Sequence, residues 1–388
     1  MRIVQFQPVT SKERFREIDQ LRGFSLLGIL IVNMLFFHSP YIYFDPFNWY
    51  TVPQDKVMYQ WIDIWVQGSF YPLFAMLFGF GLALQFERMQ DKFVSFGLKR
   101  MGVLLLFGIL HVLLLWAGDI LITYAASGFV LLFMLRLSAK WLFGLALLFY
   151  MIPNIAITGL LFLVTRLDAN ALAMYNSVQG IEASILAYGS GNYAEAFSQR
   201  LADWMFMNQG GLFLLWMLFT ILPLMMLGAA AAKGNLIGFI RVNPVRSILI
   251  GVSIATVGTV TKWVPYFTEG NILTAMIQDS FGGPIQAIGY AFLFLALAAK
   301  FTSFIAFRPF ETAGRMSLSI YILMSILATT FFYSYGLGFY GQVDVVAGTW
   351  IALGIYALCV IFAELWLSRA KQGPLEKIWR TLTYPRNK

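Results

Sequence analysis

Histidine and cysteine are almost missing from this chain of 388 residues, which holds two of the first and one of the second. The lone Cys359 excludes an intramolecular disulfide framework and cysteine-built metal sites, and with two histidines no metal centre is expected. Charge is scarce as well, at 12% of residues against 59% hydrophobic, and mean hydropathy is +0.72. An ordinary soluble domain of this length does not have that composition. Soluble-enzyme signatures are absent too. There is no G-x-x-x-x-G-K-[ST] phosphate cradle and no G-x-S-x-G nucleophile elbow.

The chain has instead about ten apolar stretches able to cross a bilayer, at roughly 21–37, 57–86, 101–117, 120–136, 141–164, 209–232, 246–264, 282–300, 316–336 and 346–368. If they alternate, all 27 lysines and arginines but Lys56, Arg166, Arg200 and Lys262 fall on the side of the N-terminus. Positive-inside bias produces such a split, so both termini are expected in the cytoplasm. The net charge of +8 sits in short loops at helix ends, where orientation and anionic headgroups account for it. The bilayer is therefore the expected partner, and nucleic acid is not. The basic start followed by Phe24–Phe37 reads as a first transmembrane helix, since no small-residue cleavage site follows.

The expected fold is all-α: a polytopic membrane helix bundle of about ten spans, forming one integral membrane domain over 1–388. Residues 165–208 are the one long external connection. They are amphipathic and expected to form two or three short helices on the outer membrane face. Residues 369–388 form a cytoplasmic tail with a short helix near 375–382. The second stretch exceeds one straight crossing. Its first third carries Gln60, Asp63 and Gln67 and gives way at Gly68 to the true span, where Ala75, Gly79 and Ala83 make a small-residue packing stripe. Five spans on each side of the long loop invite an inverted-repeat reading, but the halves show no sequence echo.

Titratable groups inside apolar spans are costly and mark candidate sites. His111 lies in the outer half of the third span, Asp119 at the turn after it, and Tyr124 a turn further on. An imidazole serves as a base when a neighbour fixes its tautomer, and a carboxylate at the top of the same hairpin suits that task. A straight helix would hold the two backbones about 12 Å apart, so contact requires the chain to fold back near Gly118. The plainer reading gives His111 a carbonyl between helices and makes Asp119 the cap of the next helix. Asn33 lies in the outer half of the first span. Asp63, at the start of the second, and His38, beside Ser39-Pro40, are candidate substrate contacts, though a solvated loop position also explains His38. At the inner ends Arg22 and Arg315 are candidates for a phosphate-bearing donor, against a structural pairing of Arg22 with Asp19.

Four stretches carry a family resemblance. They are Asp19-Gln-Leu-Arg-Gly-Phe-Ser-Leu-Leu-Gly-Ile-Leu-Ile-Val-Asn33; Phe70-Tyr-Pro-Leu-Phe to Phe78-Gly-Phe-Gly; Leu110-His-Val-Leu-Leu-Leu-Trp-Ala-Gly-Asp-Ile-Leu121; and Gly314-Arg-Met-Ser-Leu-Ser-Ile-Tyr321, with Gly373-Pro-Leu-Glu near the end. Together they resemble the YeiB-like family of bacterial membrane proteins, best described as of unknown function. The resemblance implies a location in the bacterial cytoplasmic membrane. The first helix is also similar to that of transmembrane acyltransferases. In the sugar O-acyltransferases an arginine is followed eleven residues later by an essential histidine; counting from Arg22, that position is Asn33. The heparan glucosaminide N-acetyltransferase type shares Val-Asn there and takes its histidine from the next external loop, where His38 stands at a different distance. Ile320 and Met324, beside Tyr321, replace the asparagine and glutamine usual in the family, which implies a more apolar cavity.

Three functions follow as expectations. The first is a membrane acyltransferase carrying an acyl group from a cytoplasmic thioester, such as acyl-CoA, to a lipid or glycan acceptor at the outer face. His111 would act as base or carrier, Asp119 would orient it, and Asn33 or Tyr124 would stabilise the oxyanion. Asp63, His38 and Tyr321 would meet substrate, with Arg22, Lys99, Arg100 and Arg315 at the inner mouth of a narrow central passage. The second is a proton-coupled transporter or flippase of a small amphiphile using His111 and Asp119 as a relay. The third is a non-catalytic accessory protein. A homo-oligomer fits any of them, and no cofactor beyond acyl-CoA is implied.

Overall fold

The computed structural model describes residues 15–90, 93–168, 170–208, 215–302 and 304–384, and every regular element among them is helical. Among the described residues seven helices are long and apolar enough to cross a membrane, or up to nine if each of two bent pairs is one span. The chain is a multi-pass, all-α membrane protein. The stretch expected over 120–136 is Leu121–Met134, whose 14 residues are short for a straight crossing.

In chain order the helices used below are α1 (Arg16–His38), α2 (Pro53–Trp65), α3 (Phe70–Met89), α4 (Phe93–Leu114), α5 (Leu121–Met134) and α6 (Ala139–Leu167). Next come α7 (Val178–Ile185), α8 (Tyr193–Asn208), α9 (Leu222–Lys233), α10 (Leu236–Val242), α11 (Pro244–Lys262) and α12 (Gly283–Lys300). The last four are α13 (Arg308–Arg315), α14 (Ser317–Phe332), α15 (Val345–Leu367) and α16 (Pro374–Thr383). The long second stretch breaks where its polar third ends, between α2 and α3, with Gly68 at φ +69°.

Helix α1 is the hub, packing on α3, α12, α13, α14 and α15. Its crossing with α13 is backbone to backbone. A Cβ on Gly23 would stand 1.9 Å from the Phe310 carbonyl oxygen, and one on Gly314 would stand 1.8 Å from that of Asp19. The small-residue stripe of α3 makes a second reciprocal crossing, with α9. Gly79 meets the Met225 carbonyl and Gly228 that of Met76, while Ala75 and Ala83 are fully buried beside it.

The long connection and the tail both pack against the bundle. Helix α8 packs on α4, where the Arg200 guanidinium donates to the Leu113 carbonyl at 2.6 Å and the Tyr193 hydroxyl to that of Leu114 at 3.0 Å. These carbonyls end α4 and have no helical partner of their own. Arg200 is fully buried, and Asp203 accepts from the Tyr43 and Tyr188 hydroxyls, both at 2.7 Å. Burial pushes the Asp203 carboxyl upward against the pull of those bonds. The tail helix α16 is likewise docked, against α4 and α14.

Candidate functional site

Helix α4 ends at Leu114, and the Trp116 amide turns back to donate to the His111 carbonyl at 3.0 Å. That reversal brings Asp119 down beside the ring that a straight helix would have left behind. His111 Nδ1 and Asp119 Oδ1 are 2.9 Å apart, and both side chains are fully buried. The second carboxylate oxygen accepts from the Ile122 amide at 2.7 Å, so Asp119 also caps α5. A carboxylate accepts and cannot donate. It therefore fixes the proton on Nδ1 of the neutral ring and turns the Nε2 lone pair toward Ser325, whose Oγ lies 2.9 Å away.

Ser325 completes an Asp119–His111–Ser325 chain joining the α4–α5 hairpin to α14, and reading the sequence missed it. It lies four residues after Tyr321, on the same face of α14. The Tyr321 ring stands against His111, with centroids 5.2 Å apart. Its hydroxyl accepts from the Ile120 amide at 3.3 Å and donates to the Gly118 carbonyl at 3.4 Å, which pins the turn.

Tyr321 also lines a cavity of about 820 Å³. Arg22, Arg88, Arg100, Arg315 and Arg380 line this cavity, with Asp19, Glu87 and Glu376 among them, and Phe74, Leu77, Phe78, Leu104, Leu121 and Tyr124 supply apolar wall. Lys99 is exposed and not in the lining, whereas Arg88 and Arg380 are, unforeseen. Arg100 lies 3.7 Å over the Trp379 ring, and the Trp379 indole donates to the Arg100 carbonyl at 2.9 Å. The Glu376 carboxylate accepts from the Leu318 and Ser319 amides at 2.8 and 3.1 Å, capping α14 from another helix. Burial pushes the Glu376 carboxyl above its ordinary range, against these bonds and the one from the Ser319 hydroxyl.

The other expected site residues are placed differently. Tyr124 lines the cavity, but its hydroxyl donates to the Tyr71 carbonyl at 2.9 Å rather than facing His111. Asn33 is half-buried on α1 and lines neither cavity. His38 is not a solvated loop residue. It ends α1 at 2% exposure, and neither ring nitrogen has a hydrogen-bond partner among the described residues. Asp63 belongs to a separate buried cluster, accepting from Tyr266 at 2.7 Å and Gln278 at 2.6 Å. The fully buried Lys262 of that cluster donates to the Gln67 carbonyl at 2.6 Å and stands 3.5 Å from Asp279. The cavity beyond the hairpin holds about 20 Å³, shares no lining residue with the large one, and includes Trp116, Asp203, Tyr333 and Tyr340.

Residues 224–386 match a family described as "Protein of unknown function (DUF418)". The whole chain is similar to three bacterial proteins. It is 31% identical to "Uncharacterized protein YxaH" of Bacillus subtilis (strain 168), covering 97% of this chain and 96% of that one. It is 28% identical to "Uncharacterized protein YeiB" of Escherichia coli (strain K12), with 96% of each covered. It is 26% identical to an "Uncharacterized 39.9 kDa protein in amylase 3'region" of Bacillus acidopullulyticus, over 98% of this chain and 96% of the other.

Proposed function

The chain belongs to the YeiB-like family, and from that premise and the geometry of its site we propose that it is a membrane-embedded acyltransferase taking its acyl group from a CoA-type thioester. One observation carries the reading. A cavity lined by five arginines and apolar side chains reaches Tyr321, whose ring touches His111. Guanidinium groups suit the phosphates of such a donor, and the apolar wall suits its acyl arm. We place the arginine end in the cytoplasm of a bacterial cell, with both termini there and the protein in the cytoplasmic membrane, because basic loops face that side. The acceptor is a hydroxyl or amine of a lipid or glycan at the opposite face. There α8 packs on the end of α4, so acceptor entry requires it to move.

In the reaction the acceptor oxygen or nitrogen bonds to the acyl carbon, the C–S bond breaks, and the acceptor proton ends on the departing thiolate. His111, held by Asp119, is the group able to carry that proton.

A second reading rests on the Asp63–Lys262–Asp279 cluster. Buried Asp63 and Lys262, with the half-exposed Asp279 beside a broken helix, support proton relay in a transporter or flippase. Acetyl-CoA binding to the purified protein separates the two. Micromolar binding that weakens at least tenfold in an Arg88→Glu, Arg380→Glu double variant supports acyl transfer. No binding overturns it in favour of transport.

A further inference from the structure

We infer that Ser325 is the nucleophile that carries the acyl group, as an ester on its Oγ, between donor and acceptor; this rests on the acyl-transfer reading above. The argument starts from which atoms His111 has left to use. Its Nδ1 is committed to Asp119, and its Nε2 faces the Ser325 hydroxyl at 2.9 Å. A base can take a proton only from what its free nitrogen touches, and here that is Ser325. All three side chains are buried: His111 is 1% exposed and Ser325 2%, while the Asp119 carboxylate is closed off completely. Water is therefore kept from an ester formed there.

Access comes along α14. Tyr321 lines the donor cavity and Ser325 follows one turn later, about 6 Å further along the helix axis. The Tyr321 ring lies against His111 and is held on the hairpin turn by two long hydrogen bonds of 3.3 and 3.4 Å. Turning that ring aside opens the cavity onto the serine. The Ser325 hydroxyl meanwhile rests against its own helix, 3.4 Å from the Tyr321 carbonyl.

The step balances without any further reactant. Ser325 Oγ bonds to the thioester carbonyl carbon as its proton passes to His111 Nε2. The C–S bond then breaks, and the thiolate leaves with that proton. In the second half the acceptor X–H attacks the acyl-serine, its proton passes to Nε2, the C–Oγ bond breaks, and Oγ recovers the proton. Asp119 keeps Nδ1–H in place throughout and is not itself protonated.

The test uses the whole protein in detergent with [14C]acetyl-CoA, quenched by acid, followed by peptide mapping and a parallel measurement of acetyl-CoA affinity. Wild type should retain label on the peptide that contains Ser325. Ser325→Ala should lose labelling by about 10³-fold with acetyl-CoA affinity unchanged. Ser325→Cys, which keeps a nucleophile of similar size, should restore label as a hydroxylamine-sensitive thioester. Label retained in Ser325→Ala, or mapped to His111, overturns the inference while the acyl-transfer reading stands. If acetyl-CoA binds but wild type holds no label and Ser325→Ala still hydrolyses acetyl-CoA at the wild-type rate, Ser325 is only a tie between helices. If acetyl-CoA does not bind at all, both readings fall.

Discussion

Asp119 does two jobs with its two oxygens, and substituting it separates them. In Asp119→Ala the His111 Nδ1–H and the Ile122 amide both lose their acceptor in a fully buried place. Leaving a buried donor unsatisfied costs about 1–3 kcal/mol, so the pair predicts a loss of about 4 kcal/mol. Asp119→Asn behaves differently. Its amide oxygen still accepts from Ile122, and its NH₂ then faces Nδ1 and drives the imidazole proton to Nε2. Ser325 accepts from Nε2–H as readily as it donates, so every group stays paired and the loss falls to about 1 kcal/mol. The network survives, but its direction is reversed: Nε2 can no longer receive a proton. Asn should therefore abolish acyl transfer by about 10⁴-fold in a protein nearly as stable as wild type. Unfolding in mixed detergent micelles measures the stabilities, and acetyl-CoA labelling measures the chemistry. The reasoning is refuted if Ala and Asn are equally destabilised, or if Ala lies within about 0.5 kcal/mol of wild type, since the carboxylate would then not hold the hairpin.

Gly79→Val should destabilise by about 1–3 kcal/mol or more, because a side chain there must displace the Met225 carbonyl; unfolding at wild-type detergent concentration would sink the backbone-to-backbone crossing. Lys262→Ala should cost about 1–3 kcal/mol by removing the donor to the Gln67 carbonyl and the ammonium beside Asp279, and adding Asp279→Asn should recover part of the loss. That recovery is the check, and strict additivity would count against the coupling. Glu376 gives a pH dependence. Its folded carboxyl is raised, so the docked tail binds more protons than the free one. Docking is then strongest at low pH and weakens as pH climbs from the ordinary carboxylate range through the raised value. Limited proteolysis of the tail should speed up over that window in wild type and stay flat in Glu376→Gln, and a slope of opposite sign would refute the assignment.

Much of the fold could be read in the chain because it is written locally. Runs of apolar residues mark the spans, the polar third before Gly68 marks the break between α2 and α3, and Ala75, Gly79 and Ala83 mark a close-packed face. The pairing of His111 with Asp119 was legible for the same reason: they lie eight residues apart across a Gly-containing turn. What stayed hidden depends on distant partners. Ser325 is one small hydroxyl among the apolar residues of α14, and only the third dimension sets it against His111, 214 positions away. Arg200 looked like a loop residue in an amphipathic segment. It is buried because α4 ends in carbonyls that need donors, a demand that cannot be seen from the sequence around residue 200. His38 and Asp63 were drawn toward the site by their chemistry alone, and neither helix presents them to it.

The cap that Glu376 places on α14 bears on how the protein is made. Helix α14 threads into the bilayer long before residue 376 leaves the ribosome, so its first amides enter the bundle without their acceptor. The large cavity is in the same position, since Trp379, Arg380 and Tyr384 close one side of it and are translated after α14. During synthesis the nascent protein therefore has an inserted bundle but an unfinished pocket. A fusion partner that holds the tail away from α4 would arrest it in that immature form, correctly inserted yet unable to bind its donor.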